Sequence, residues 1–496
     1  MLSTVVEVQQ GKLGGGWENG VRFWKGVPYA KPPIGLLRFQ PPRPAETWEG
    51  VLDATNYSPA ALQNVDLIMS AVGNPLTCNN EDCLYLNIWS SDADDGLRPV
   101  MVWIHGGAFV QGSGVDPWFD GTSFAKEGDV ILVTITYRLG VMGFLDLADI
   151  LGSEYEDSVN CGIMDQVAAL RWIQDNITQF GGDPNRVTIF GQSAGAASVA
   201  ILMTMNKGRS LFQQAILQSG TLDLVTGTRQ KTALAAQYVL SYLGIRADSA
   251  AALTQISSDR LLEAQSTLPK PLRFGPVLEG LPFGESGDPL LSAASDIPVL
   301  IGTTLDEARL FIFNDPSWSD LGEEDVILRI QRHFGPIPQE VVHYYRTSSA
   351  IAQSPLDKLL PIVTDRLFTI PAIQMAERWL RQGGKVWMYR FDWRSPAFCG
   401  SLLASHSQEL PFVFNNLEKD GVVAFTGPST QRIEVAQAIH RAWIAFAHNG
   451  DPDIRPHNPW PAYDLENRAT RIFDVESRVD NDPRGDVRVV WTKRSV

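Results

Sequence analysis

The sequence predicts an α/β protein with a central, mostly parallel sheet, and three observations lead there. Between Pro99 and Gly220 short apolar runs alternate with amphipathic stretches, the pattern of parallel strands joined by covering helices. The runs are rich in β-branched residues, as strands buried within a sheet are. From about Arg229 helical patterns dominate and strand-like runs return only twice, which describes one sheet interrupted by helical insertions.

Taken in order, VMVWI (100–104) and VILVTITY (130–137) read as buried strands, and the first runs into His105-Gly106-Gly107. The stretch DQVAALRWIQDNITQF (165–180) sets Val167, Leu170, Ile173 and Ile177 at helical spacing and stops at Gly181-Gly182, so it is a crossover helix. Next come the short strand RVTIF (186–190), the tight GQSAG, the apolar helix AASVAILMTM and the strand within FQQAILQSG. TALAAQYVLSYL, SDRLLEAQSTL, EEDVILRIQRHF and DKLLPIVTDRLFTIPAIQMAERWL carry helical patterns. IPVLIGTT (297–304) and VWMYRFDW (386–393) are the two late strands, and a helix near RIEVAQAIHRAWIAFAH closes the chain. No repeat, low-complexity tract or long linker divides the sequence. Residues 1–496 are therefore expected to form one domain, with helical insertions at about 229–290 and 310–385 covering the C-terminal edge of the sheet.

Composition narrows the function classes. With 44% hydrophobic and 20% charged residues and a mean hydropathy of -0.07, the chain reads as an ordinary soluble protein. The longest apolar stretch, Val130 to Leu145, is broken by Thr134, Thr136, Arg138 and two glycines, so no membrane span is expected. The N-terminus lacks the basic start, apolar core and cleavage site of a signal peptide, which makes a cytoplasmic location the default expectation. A net charge of -15 without a Lys/Arg cluster opposes phosphate backbones, so no nucleic-acid partner is expected. Cys78, Cys83, Cys161 and Cys399 form neither a disulfide framework nor a zinc-binding pattern. Cys78 and Cys83 could bridge only if their segment turns back, which a reducing cytoplasm opposes. Neither metal nor cofactor is expected.

Gly191-Gln192-Ser193-Ala194-Gly195 has the G-x-S-x-G pattern of a strained strand-to-helix turn that lifts a serine clear of a sheet, and here it follows a strand and opens a helix. A serine hydroxyl attacks only when a base takes its proton, for which histidine has the suitable pKa. His333, His343 and His440 lie in helical patterns, and His448 and His457 lie near polar turns; His406 lies in the loop after VWMYRFDW and is the best candidate base. An imidazole in that role needs a carboxylate to hold its tautomer and stabilise its charge. IPVLIGTT delivers both Asp306 and Glu307 to a strand end, and position alone does not choose between them. The loop His105-Gly106-Gly107-Ala108-Phe109 can turn backbone N–H groups toward an oxyanion, and Ala194 can add another. The order serine, acid, histidine is the one required by the α/β-hydrolase fold.

These residues sit in a sequence that resembles the type-B carboxylesterase and cholinesterase family, and in particular its bacterial para-nitrobenzyl-esterase-like carboxylesterases. The likeness runs through WKGVPYAKPPIGLLRF, EDCLYLNIW, VMVWIHGGAF, TITYRLGVMGFL, DQVAALRWIQDNITQFGGDPNRVTIFGQSAGA, IGTTLDEARLF, HSQELPFVF, AWIAFAHNGDP and NPWPAY, nearly the whole chain. It implies a cofactor-independent serine esterase with Ser193 as nucleophile, His406 as base and Glu307, rather than Asp306, as acid. The family's oxyanion donors fall on Gly106, Gly107 and Ala194. The partner is then a small-molecule ester, and the assembly a monomer or small homo-oligomer. Leu310 and Phe311, following Glu307 on an expected helix, are candidate pocket residues.

Three departures sharpen the expectation. Gln192 stands where many relatives have glutamate before the serine, and no tryptophan lies between Trp48 and Trp89, where cholinesterases hold quaternary ammonium groups. Neutral esters of short to medium acyl chain are thus the expected substrates. Cys83 matches half of a disulfide of secreted relatives, but the expected partner region reads SPAALQ. Two alternatives stay open: a non-catalytic interaction module, as in adhesion proteins of this family that have lost the serine, and hydrolysis of amides by the same groups.

Overall fold

The computed structural model describes residues 3–64, 78–91, 96–225, 227–270, 272–279, 281, 296–313, 315–348, 354–453 and 459–492. Its main sheet has eleven strands: β1 (Gly16–Glu18), β2 (Val21–Pro28), β3 (Tyr85–Ser91), β4 (Arg98–Ile104), β5 (Ile131–Ile135), β6 (Gly182–Gln192), β7 (Gln214–Gln218), β8 (Val299–Thr304), β9 (Val386–Phe391), β10 (Ala469–Phe473) and β11 (Arg478–Asn481). They lie in the spatial order β11-β10-β9-β8-β7-β6-β4-β5-β3-β2-β1. From β5 to β10 the pairing is parallel, and the flanks β3-β2-β1 and β11 are antiparallel. This is the α/β-hydrolase architecture.

The buried stretches of the central strands are mostly apolar because both of their faces are covered. Val100, Val102, Ile104, Ile189, Leu217 and Ile301 belong to one core cluster. Their neighbours Met101, Trp103, Phe190, Ile216 and Leu300 belong to the cluster on the opposite face. The alternation follows from the two-residue period of a strand.

The covering helices that bear on the site are α1 (Cys161–Asn176), α2 (Ala194–Thr204), α3 (Arg229–Leu243), α4 (Ser258–Ser266), α5 (Arg309–Ile312), α6 (Glu323–Phe334), α7 (Gln339–Ser348), α8 (Ile370–Arg381) and α9 (Gln431–Asn449). The helical readings of the sequence fall on them, except that DKLLPIVTDRLFTIPAIQMAERWL is divided among Pro355–Leu359, Pro361–Thr364, the π-helical turn Asp365–Thr369 and α8. Two further expectations need correction. Strand runs do not return only twice after Arg229, because β10 and β11 follow α9, and the chain closes on a further helix, Gly485–Thr492. Short length hides β10: its five residues ATRIF include Thr470 and Arg471, both buried, so no apolar run marks it.

Strand register brings one set of ends together. Gly191 pairs with Ile104, Gln192 with Gln218, Gln218 with Gly302, and Thr304 with Phe391. The C-terminal ends of β4, β6, β8 and β9 thus share an edge, and the candidate residues leave from those four ends. Among the described residues, no helix is long and apolar enough to cross a membrane.

Candidate active site

Ser193 sits between β6 and α2 with φ 57° and ψ -123°, a conformation that costs a non-glycine residue about 1–3 kcal/mol. The surroundings hold it there. Its N–H donates to Gln218 O at 2.8 Å on the next strand, and its carbonyl accepts from Ala197 N at 2.9 Å in the helix. A Cβ on Gly195 would lie 2.0 Å from Ile104 O, so only glycine lets α2 start this close to β4. The side chain of Ser193 is half-buried at the sheet edge.

His406 and Glu307 meet at that edge. His406 Nδ1 lies 2.5 Å from Glu307 Oε2, and both side chains are buried. Glu307 Oε1 accepts from Thr304 N at 2.8 Å, and its carbonyl accepts from His406 N at 3.3 Å, which fixes both loops to each other. With Nδ1–H given to the carboxylate, Nε2 is left as the acceptor. Asp306 takes another direction: its carboxylate faces Arg394 at 3.4 Å and the N–H of Ala404 at 3.3 Å.

The loop after β4 approaches from the other side. A Cβ on Gly106 would stand 2.6 Å from Gln192 O and 3.2 Å from Ser193 Cβ, so the bare backbone of this glycine lies against the serine. Gly107 has φ +109°, and its carbonyl accepts from Val110 N and Gln111 N at 3.0 Å. His105 braces the loop from below. It is buried, stacks on Tyr137 at 4.4 Å, and its Nδ1 contacts Gly106 O at 2.9 Å. Burial pulls its pKa down to about 4, so this imidazole is neutral near pH 7.

The other histidines are elsewhere. His440 is buried in α9 with Nδ1–H donated to Val413 O at 2.7 Å, and His333 and His343 lie on α6 and α7. His448 lies in the last turn of α9 rather than in a turn beyond it, 2.8 Å from Gly128 O. His457 lies outside the described residues.

A model of the carboxylesterase family matches residues 2–488. The chain belongs to that family. Para-nitrobenzyl esterase of Bacillus subtilis (strain 168) is 40% identical over 501 residues, covering 98% of each chain. Phenmedipham hydrolase of Pseudarthrobacter oxydans is 36% identical over 95% of each. Among solved structures, a Geobacillus stearothermophilus carboxylesterase superimposes with a TM-score of 0.89 at 43% identity, over 98% of this chain and 100% of that one. The protein is a carboxylic-ester hydrolase.

Three further residues of this carboxylesterase join the site: Gln192, read from the sequence only as a departure from relatives, and Phe368 and Glu409, which the sequence did not single out. Gln192 Nε2 lies 3.1 Å from His406 Nε2. Phe368 comes from the π-helical turn Asp365–Thr369; its ring is 4.9 Å from His406 and stacks on Phe311, itself 5.2 Å from the imidazole. Of the two candidate pocket residues, Phe311 therefore reaches the site, while Leu310 packs into the core with Phe412 and Trp387. Glu409 is fully buried in the same loop as His406, with Oε1 accepting from Gln218 Nε2 at 3.1 Å. Burial, then the charge of Glu307, pushes its pKa up to about 7. No sequence signal separates Phe368 from the other apolar residues of its helix. Gln192 is marked by adjacency to Ser193 and by standing where many relatives have glutamate, and Glu409 only by lying three residues after His406. Among the described residues no group of three His, Cys, Asp or Glu side chains could hold a metal ion.

Proposed function

We propose that Ser193, His406 and Glu307 hydrolyse uncharged carboxylic esters through an acyl-enzyme, with Gly106, Gly107 and Ala194 as oxyanion donors. The observation that carries the reading is the 2.5 Å contact of His406 Nδ1 with Glu307 Oε2, on the same sheet edge as a serine held at φ 57°. Ser193 Oγ attacks the carbonyl carbon while His406 Nε2 takes its proton. The C–O bond to the alcohol then breaks, and His406 returns the proton to the departing oxygen. Water, deprotonated by the same nitrogen, releases the acid and restores the serine. Glu307 holds the tautomer and offsets the imidazolium charge.

Substrate preference follows from what lines the site. Gln192 adds no negative charge next to the base, and Phe311 and Phe368 offer apolar ring surface. Relatives named for para-nitrobenzyl ester and phenmedipham hydrolysis support neutral substrates. Short- to medium-chain acyl groups fit this reading, and the chain acts as one domain whose insertions line the pocket.

Ser193→Ala tests it. Turnover of a para-nitrophenyl ester should fall by roughly three orders of magnitude or more, with the unfolding transition unchanged. Near-normal turnover would sink the assignment. A series of para-nitrophenyl esters from acetate upward should peak at short or medium chains, and matched ester and anilide substrates should favour the ester.

A further inference from the structure

Gln192 has no task in the steps above, yet it occupies the reacting face of the base. Its side chain is buried, and its amide Nε2 donates to His406 Nε2 at 3.1 Å, the nitrogen that takes the serine proton. With Nδ1–H held by Glu307 at 2.5 Å, Nε2 carries the lone pair, and an amide N–H is the matching donor. Among the described residues, the hydrogen bond that Nε2 makes is to Gln192 and not to Ser193 Oγ. The carbonyl end of the amide lies beside Gly106, where an added Cβ would stand 3.0 Å from Gln192 Oε1.

We propose that Gln192 is a positioning residue for His406: its uncharged amide holds Nε2 of the free base, the form that takes the serine proton. The proposal rests on the reading of Ser193, His406 and Glu307 given above. The chemistry of the amide suits both states of the imidazole. Its NH2 group donates to the free base, and after a half-turn its oxygen accepts from the Nε2–H of the imidazolium. A carboxylate can only accept, so it favours the protonated form, which cannot take the proton of Ser193. The surroundings make that difference matter. Glu307 already faces Nδ1, and Glu409 lies behind it in the same loop, with the Tyr389 hydroxyl of β9 near both carboxyls. Asp306 is engaged by Arg394, and Asp365, the first residue of the turn that carries Phe368, is engaged by Arg484 and Tyr345. Phe311 and Phe368 cover the imidazole with uncharged rings. A carboxylate at position 192 would add a charge on the one polar side that now has none.

The test is the pH profile of kcat/KM for a para-nitrophenyl ester in the full-length protein, Gln192→Glu and Gln192→Met, with active sites counted by organophosphate labelling mapped to Ser193. In Gln192→Glu, which keeps size and shape, the acid limb should move up by about one pH unit or more. In Gln192→Met, which keeps length but loses the amide, kcat should drop by about ten-fold with a smaller change in KM. Coincident acid limbs for the parent and Gln192→Glu, or an unchanged kcat in Gln192→Met, would overturn the positioning role. Failure of Ser193 to label in the parent protein would instead overturn the underlying assignment of the nucleophile.

Discussion

Two neighbouring carboxylates, Asp306 and Glu307, leave the same strand end, and their different partners give them different duties. Glu307 touches His406 at 2.5 Å, whereas Asp306 is spent on Arg394 and the Ala404 backbone. Glu307→Gln should therefore lower kcat by roughly two to four orders of magnitude, because the amide no longer stabilises the imidazolium. Asp306→Asn should stay within about ten-fold, since its carboxylate does not touch the base. Steady-state kinetics on both variants checks the pair. Glu409 leads to a stability prediction. Its folded pKa of about 7 lies above the ordinary 4.5, so the folded state holds a proton that the unfolded chain has lost between those values. Folding stability should then fall as pH rises through that window, at a rate on the order of 1.4 kcal/mol per pH unit from this group. Glu409→Gln should remove that decline and gain over the parent at pH 8 more than at pH 5, as read by thermal unfolding at both values.

The turn between β6 and α2 depends on close backbone approach more than on any side-chain contact. Gly195→Ala would force a Cβ to within 2.0 Å of Ile104 O, a backbone atom at the C-terminal end of β4. Such overpacking should cost about 1–3 kcal/mol or more and carry Ser193 off its position. Chemical denaturation and ester turnover should both register it. This element was legible because strand, GQSAG and helix are contiguous and each has its own periodicity. The antiparallel flank was less so: β2 reads VRFWKGVP, where charged residues and a glycine blur the alternation. β10 and β11 are too short and too polar to stand out, and only pairing, of β10 with β9 and of β11 with β10, makes them strands.

Long-range ties hold the loops at the sheet edge in place. The guanidinium of Arg138, just after β5, makes two hydrogen bonds to Asp165 of α1, at 2.7 and 2.8 Å, and a third to Gln40 O at 2.8 Å, and the Arg138 N–H donates to Asp165 as well at 3.1 Å. Both charged side chains are buried, so removing one leaves the other without compensation. Asp165→Ala should cost about 3–5 kcal/mol in denaturant unfolding, far more than the loss of an exposed pair such as Lys31–Glu46. Arg38 similarly joins Glu81 to the carbonyls of Leu253 and Ile256 in the first helical insertion. None of these partners is near the other in the chain, so periodicity cannot reveal them.

The strand–GQSAG–helix succession, the alternation of strands with crossover helices and the glycine-rich loop after β4 were all readable from local pattern, because each is specified by residues adjacent in the chain. The orientation of Asp306 away from the base, the contact of Gln192 with His406 across 214 positions, and the arrival of Phe368 beside Phe311 were decided by folding alone. A motif records which groups a strand end carries. Which way each group points depends on the register of neighbouring strands and on the packing of an insertion, and those are set by the burial of the whole sheet.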